Sequence, residues 1–390
     1  YEIMPSLVGS EMCIRDSKNG AVQINGGVTV VEDLAELGFP YPDLETIVAE
    51  NKIVYYECTR GCPFQCSYCL SGISHSVRRR PLEKVLLDLE HCMEEKVPLV
   101  KFVDRTYNLD EAYFLPIMHY LSMADTETTF HFEIKADLLS ENTLKFLETV
   151  PEGRFQFEIG VQSTNTKTLE AIGRENNWKK LADNVGRLLQ NNNIHLHLDL
   201  IAGLPYEGLK EFIKSFNDVY GLRPHMLQLG FLKVLKGTQV SERFTSDIKY
   251  AEFPPYEVIS TKWISASELL KLKKVENAVD MFYNSGKFFN SIRSISEKPP
   301  YDNNPYSLFE QLGEKVKSSE KAGKLANTAF YEILYEIFGD CIIEELAVDF
   351  IKNNKTARLP KFLHREMSKS FKTHCIESVS YTHLRAHETR

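Results

Sequence analysis

Residues 58–70 read "CTRGCPFQCSYCL" and hold four of the chain's eight cysteines. Cys62, Cys66 and Cys69 stand at C-x3-C-x2-C spacing. Three thiolates on one tight loop can close around three corners of an iron–sulfur cubane. A loop with only three leaves one iron without a protein ligand. An open coordination position is what separates a metal that does chemistry from one that only holds structure. Gly61 and Pro63 favour a fixed bend, and Phe64 and Tyr68 are placed to shield such a cluster from water. Two other readings stay open on spacing alone. Half of a zinc site needs a C-x2-C or H-x3-H partner downstream, and none lies outside the terminal segment treated below. Buried structural cysteines are common, but three at this spacing in one turn are hard to credit to packing. Cys58 falls on the preceding β-rich run and takes the structural role, while Cys92, Cys341 and Cys375 have no partner pattern.

The elements around the loop must hold it at a strand end. From residue 54 to residue 234, short β-rich runs alternate with helical patterns. The runs are "IVYYECT" (53–59), "LVKFVD" (99–104), "TFHFEIK" (129–135), "FQFEIGV" (155–161), "HLHLDLIAG" (195–203) and "MLQLGFLKV" (226–234). Between them, "PLEKVLLDLEHCMEE" places Leu82, Val85, Leu86 and Leu89 at helical spacing, and "SENTLKFLETV" opens on a capping serine, Ser140. Strand then helix, repeated about six times, predicts a parallel sheet. The strands read as nearly continuous apolar and aromatic runs, which predicts cover on both faces. Six units predict an open, partial (β/α)6 TIM-like barrel rather than the full eight. The fold class is therefore α/β, with a smaller α-helical domain following.

Domain bounds follow from the change of pattern. The barrel spans 49–240 and the helical domain 241–378, where "VISTKWISASELLKLKKVENAVDMFYNSGKFFNSI" and "TAFYEILYEIFGDCIIEELAVDFIKNN" read as helices. Residues 18–48 are a turn-rich connector with an "FPYPD" bend. Both ends read differently. "VSYTHLRAHET" near the C-terminus and "LVGSEMCIRD" near the N-terminus are translations of one short DNA word and its complement, resembling a sequencing-library adapter. Residues 1–17 and 379–390 are accordingly set aside as an adapter-like artefact, and Cys13, His383 and His387 with them. On that reading the chain is expected to begin inside a longer gene.

With 43% apolar and 26% charged residues the chain is expected to be globular. A formal net charge of −8 gives no general basic field for nucleic acid. The basic run "VRRRP", with Arg78 to Arg80, is expected to be a solvated face. No stretch approaches the roughly 18 consecutive apolar residues of a membrane span. No signal pattern opens the chain, so a cytoplasmic location is expected, with reduced or metal-bound cysteines.

The run "RGCPFQCSYCLS…VKFVDRTYN…FHFEI…FQFEIGVQS…HLHLDLIAGLP…LQLGFLK" resembles the radical S-adenosylmethionine superfamily over about 49–237. It is most similar to the subfamily with an N-terminal cobalamin-binding domain and a C-terminal helical region of unknown function. The resemblance implies a [4Fe–4S] cluster held by Cys62, Cys66 and Cys69, with S-adenosylmethionine chelating the open iron. One electron then cleaves the sulfonium to methionine and a 5′-deoxyadenosyl radical. Cobalamin is implied by the family alone, since no lower-ligand motif stands in this chain, and a cobalamin domain would precede residue 18. An external electron donor such as flavodoxin or ferredoxin and a small-molecule or unidentified substrate are implied as partners.

The resemblance also assigns strand ends as cofactor contacts, as expected at the C-terminal rim of such barrels. Asp104 sits in an F-x-D resembling F-x-D-D-x-F, placed for the cofactor's ammonium or else for a helix cap. Arg105 replaces the second acid. Glu158, Gln162 and Ser163 match E-x-G-x-Q-S. Asp199 in "LDLIAGLP" costs free energy to bury unpartnered and is expected at ribose hydroxyls or in an internal network. Tyr68 is expected near adenine, flanked by Ile201 and Leu204. Glu133 and Lys135 are expected to form an internal ion pair, and His195 and His197 to be partly buried, hydrogen-bonded strand residues. Two alternatives remain: a methylthiotransferase-like enzyme, which needs a second cluster with three further cysteines, and a non-catalytic iron–sulfur electron-transfer or sensor protein, which needs a fourth thiolate.

Overall fold

The computed structural model describes residues 15–18, 21–24, 31–73, 76–320, 327–355 and 359–363. Six strands form one parallel sheet: β1 Val54–Tyr56, β2 Leu99–Phe102, β3 Thr129–Ile134, β4 Phe155–Gln162, β5 His195–Ala202 and β6 Met226–Phe231. Neighbours in the sheet are neighbours in sequence, so β1 and β6 are its two edges. All but Gln162 of these residues lie within the runs predicted above.

The crossovers are helical: α1 Leu82–Glu94, α2 Glu111–Met123, α3 Glu141–Leu147, α4 Thr166–Ala171 with α5 Trp178–Asn191, and α6 Leu209–Tyr220. Their starts follow from short polar caps. Ser140 Oγ accepts from Thr143 N at 3.0 Å, and Asn177 Oδ1 from Lys180 N at 3.1 Å. Burial of Leu181, Val185 and Leu188 then fixes the α5 face that meets the sheet.

Apolar cover is one-sided. In β4, Phe155, Phe157, Ile159 and Val161 are buried while Gln156, Glu158, Gly160 and Gln162 are half-buried. In β5, Leu196, Leu198, Leu200 and Ala202 alternate with His195, His197, Asp199 and Ile201 in the same way. The expected two-sided apolar sheet is thus corrected. Period-two alternation sends every second side chain to the helix layer, where burying each Phe or Leu contributes roughly 1.5–3 kcal/mol. The other face is left polar, lining the concave interior.

After β6 come a hairpin of β7 Ile248–Tyr250 and β8 Val258–Thr261, then α7 Ala266–Ala278, a π-helical turn Val279–Asn284, α8 Phe289–Ser296, α9 Pro305–Glu320, α10 Asn327–Phe338 and α11 Ile343–Asn354. The helix expected from Val258 begins only at Ala266. Val258, Ile259 and Thr261 are β-branched and pair as a strand, and Ser265 with Glu268 forms the capping box that starts the helix. Asn284 closes the π turn with its carboxamide on the β6 edge. Its Oδ1 accepts from Leu227 N and its Nδ2 donates to Leu227 O, both at 2.9 Å.

The connector packs against the barrel, with Leu34 and Leu44 buried. Arg80 does the joining, which corrects the expectation of a solvated basic run. Its buried guanidinium binds Asp88 Oδ2 through Nε at 3.0 Å and Nη2 at 2.9 Å, and Nη1 donates to the carbonyls of Leu34 and Leu37 at 3.1 and 2.7 Å. Arg79 pairs with Asp110 at 3.0 Å. The adapter-like segments lie outside the described residues except for 15–17, as does Cys375. Among the described residues no helix is long and apolar enough to cross a membrane.

Candidate active site

The cysteine loop leaves the C-terminal end of β1. Thr59–Arg60 pairs antiparallel with Arg78–Arg79 and closes the base of the loop. Gly61 has φ +106°, and a Cβ there would strike the Ser76 carbonyl oxygen, so this bend requires glycine. Two backbone bonds clamp the loop from opposite sides. Ser67 N donates to Ile172 O at 2.8 Å, at the end of α4, and Ser67 O accepts from Val240 N at 2.8 Å.

Cys62, Cys66 and Cys69 are free thiols, the first two buried and the third half-buried. All three line one cavity of about 210 Å³. Among the described residues no trio of Cys, His, Asp or Glu converges on the position of a single metal ion. A cubane asks something different, namely one thiolate for each of three separate irons. Among the described residues, no fourth cysteine and no histidine lines the cavity. Cys58 is fully buried and turned away, its Sγ donating to Asp104 Oδ1 at 3.0 Å. The donor set on this loop therefore suits an iron–sulfur cubane with one corner left to another ligand.

Sequence reasoning missed Arg174, which reaches the same cavity from the loop after α4. Its Nη1 lies 3.7 Å from Cys66 Sγ and 3.4 Å from the Tyr68 hydroxyl, and its Nη2 donates to the Gly160 carbonyl. The guanidinium puts a fixed positive charge beside the Cys66 sulfur. Nothing in the spacing of "AIGRENN" sets this arginine apart from a surface residue.

The cavity floor is built from the polar face of the sheet. Glu158 Oε2 accepts from His131 Nε2 at 3.0 Å and from Lys101 Nζ at 2.9 Å. The His131 bond, against the cost of burial, and then Lys101 bring its carboxyl down to about 2. Glu133 is its register partner on β3. Burial, then the Glu158 charge, pushes the Glu133 carboxyl up. Burial pushes Asp199 well up, and Glu158 and Glu133 add to the effect. Asp199 Oδ1 is buried without a hydrogen-bond partner. The expected Glu133–Lys135 pair does not form. The strand ends at Ile134, and Lys135 Nζ turns to Glu175 O at 2.7 Å, Asn176 Oδ1 at 3.0 Å and Asp137 Oδ1 at 3.3 Å.

At the end of β4 the register with β5 shifts, and Gln162 takes φ +70°. Its side chain folds back over Gly160, where a Cβ would occupy the place of Gln162 Nε2. Gln162 Oε1 is buried in the cavity without a partner. The cavity thus brings together Cys62, Cys66, Cys69, Tyr68, Glu158, Gln162 and Asp199. Four expected contacts do not line it, namely Asp104, Ser163, Ile201 and Leu204. Asp104 is fully buried beneath the loop, where Thr59 N and Oγ1 both donate to Oδ1 at 2.6 Å and Cys58 N donates to Oδ2 at 3.2 Å. Ser163 points away from the cavity to Glu207.

Deeper in the interior the imidazoles pack on one another. The His195 ring centroid lies 4.8 Å from that of His197 and 4.8 Å from that of His225, and His131 and His197 are 5.5 Å apart. His195 Nδ1 is buried without a partner, so the expected hydrogen bond is not made at that atom. Burial and the neighbouring rings bring His195 down to about 3 and His197 to about 4.

Residues 56–219 match the family model of the radical SAM superfamily, and residues 245–387 match that of a protein family of unknown function, DUF4080. The chain is 29% identical over 217 residues to the oxygen-independent coproporphyrinogen-III oxidase-like protein HemZ of Bacillus subtilis (strain 168), a match covering 51% of this chain and 42% of that protein. It is 25% identical over 168 residues to the cobalamin-dependent radical SAM methyltransferase TokK of Streptomyces tokunonensis, covering 40% of this chain and 24% of that one. The chain thus spans less than half the length of either relative. A solved structure of the cobalamin-dependent S-adenosylmethionine radical enzyme OxsB superposes with a TM-score of 0.54 over 94% of this chain and 63% of that one, at 15% identity. That likeness is one of fold, and it extends through the helical region.

Proposed function

The chain carries a radical SAM domain over residues 56–219, and from that premise we propose that it is an enzyme that cleaves S-adenosylmethionine reductively at a [4Fe–4S] cluster. One observation carries the reading. Three free thiols from one loop border a single cavity in which Gln162 and Asp199 present unpartnered oxygens and Arg174 a guanidinium.

The chemistry supplied when both groups are bound is one-electron cleavage of the sulfonium, giving methionine and a 5′-deoxyadenosyl radical. The protein's share is to bind, orient and exclude water. Cys62, Cys66 and Cys69 would hold three irons of the cluster. Arg174 would offset the charge of the Cys66 thiolate in the bound cluster. Gln162 Oε1 would accept, and Asp199 would exchange, hydrogen bonds with the ribose hydroxyls, burial holding the Asp199 carboxyl well above its usual range. Glu158 remains ionised through Lys101 and His131, so the floor keeps one fixed negative charge. Phe64 and Tyr68 cover the cavity wall beside the cysteines.

The substrate step would be methyl transfer or hydrogen abstraction on a small-molecule or unidentified substrate, with cobalamin as a family-implied cofactor. A one-electron donor of the flavodoxin or ferredoxin kind supplies the electron. That requirement favours a reducing compartment such as the cytoplasm. The test is anaerobic reconstitution with iron and sulfide, then dithionite and S-adenosylmethionine, with assay of 5′-deoxyadenosine. Product is expected from the intact chain and none from Cys62→Ala. A fully loaded cluster that neither binds S-adenosylmethionine nor yields product refutes the reading.

A further inference from the structure

Beneath the cavity rim the end of β4 is tied down by a carboxyl that the cofactor chemistry leaves unused. Glu207 lies in the turn between β5 and α6 and is 1% exposed. Its Oε1 accepts from Ser163 Oγ at 2.5 Å and from Ser215 Oγ at 3.1 Å. Ser163 Oγ accepts in turn from Asn165 N at 3.0 Å, and Ser215 Oγ from Thr164 N at 3.0 Å. Asn165 Nδ2 donates to Tyr206 O at 3.1 Å. The three residues that follow Gln162 are therefore all fastened to one turn and the helix behind it.

Gln162 needs such fastening. A non-glycine residue in the left-handed region is strained and persists only where its surroundings over-determine it. The same residue carries a second cost, since its Oε1 is buried without a donor until a ligand hydroxyl or amine satisfies it. Strain and an orphaned acceptor on one side chain, next to a clamped backbone, describe a group held ready for a ligand rather than one at rest. Glu207 is suited to the clamp in its neutral form. Burial raises its carboxyl to about 7, against the pull of the two serine hydroxyls, and Oε2 has no partner. Glutamine at this position would keep the acceptor for both serines.

We infer that Glu207 is a positioning residue, which acts through Ser163 to hold Gln162 in the backbone conformation that presents its amide oxygen to S-adenosylmethionine. The inference rests on the proposed function. Its test is the equilibrium affinity of the anaerobically reconstituted chain for S-adenosylmethionine, with iron content and melting temperature measured alongside. Glu207→Ala and Gln162→Ala should each weaken binding about tenfold, the equivalent of one lost hydrogen bond. The double variant should bind no worse than Gln162→Ala alone. Glu207→Gln should stay within about twofold of wild type. Unchanged affinity in Glu207→Ala, or losses that multiply in the double variant, overturns the inference. Should Glu207→Ala fail to fold or to load its cluster, Ser163→Ala replaces it and must show the same lack of additivity with Gln162→Ala. A loaded wild-type chain that does not bind S-adenosylmethionine defeats the proposed function and this inference together. Multiplying losses in a chain that does bind it defeat the role of Glu207 alone.

Discussion

The Tyr41 hydroxyl lies 2.9 Å from the amide nitrogen of Tyr55 and 2.9 Å from its carbonyl oxygen. One phenol thus accepts from and donates to a single residue of the edge strand β1, standing where a seventh strand would pair. Removing the hydroxyl frees both backbone groups. Because they are exposed and water can replace the phenol, Tyr41→Phe should cost only about 1 kcal/mol of unfolding free energy. Urea titration measures this, and affinity for S-adenosylmethionine should not change.

The three loop cysteines and Cys58 should separate cleanly. Cys62→Ser, Cys66→Ser and Cys69→Ser should each lose the cluster's visible absorbance and most of the bound iron and sulfide after reconstitution. Cys58→Ser should keep them, since its Sγ serves Asp104 and not the cavity. A normal cluster in any of the first three would reject the assignment of that residue.

Gly160 leaves the space into which Gln162 folds. A methyl group there would displace Gln162 Nε2 and come within 3.3 Å of Arg174 Nη2. Gly160→Ala should therefore weaken S-adenosylmethionine binding by about tenfold, on the order of one hydrogen bond, while the cluster still loads. Calorimetric titration of the loaded variant decides it, and unchanged affinity would show that Gln162 is not a contact.

Acid stability should carry the signature of the buried imidazoles. His195 and His197 have folded-state values of about 3 and 4, below the ordinary 6.5. They stay neutral in the folded chain while the unfolded chain takes up protons, so stability is full above 6.5 and falls as pH drops through 6.5 toward 4 and 3. Glu158, at about 2, adds stability above 4.5 that is lost as pH falls toward 2. The raised carboxyls of Glu207 and Asp199 act in the opposite sense, so the imidazole contribution is read as a difference: between pH 7 and 4, His195→Gln should lose less unfolding free energy than wild type. An unchanged slope in that variant would contradict the assignment.

Much of this was legible in the sequence, and the reasons are local. C-x3-C-x2-C is a contiguous pattern on one turn, so the geometry of its thiols follows from covalent spacing. The strands were found because apolar side chains recur at short range between helical periods. Single polar residues such as Glu158 and Asp199 stand out in the sequence, but that they share one continuous polar face depends on the register between strands, which local pattern does not carry. Asp104 was misplaced because a strand-end acid looks the same whether it faces a ligand or, as here, the amides of Cys58 and Thr59. Arg174 and Glu207 had no local sign at all. Each acts on residues more than forty positions away, Cys66 and Ser163, and only the folded sheet sets those distances.

Asn284 has a consequence for how the chain can be divided. Its carboxamide occupies the outer rim of β6 at Leu227, and the element that carries it belongs to the region after the barrel. A fragment ending near residue 240 would leave that rim bare, an open template for pairing with another copy. Such a fragment should self-associate in sedimentation experiments, whereas the undivided chain should stay dispersed. The helical region is in this sense a built-in solubility element for the barrel and not a detachable accessory.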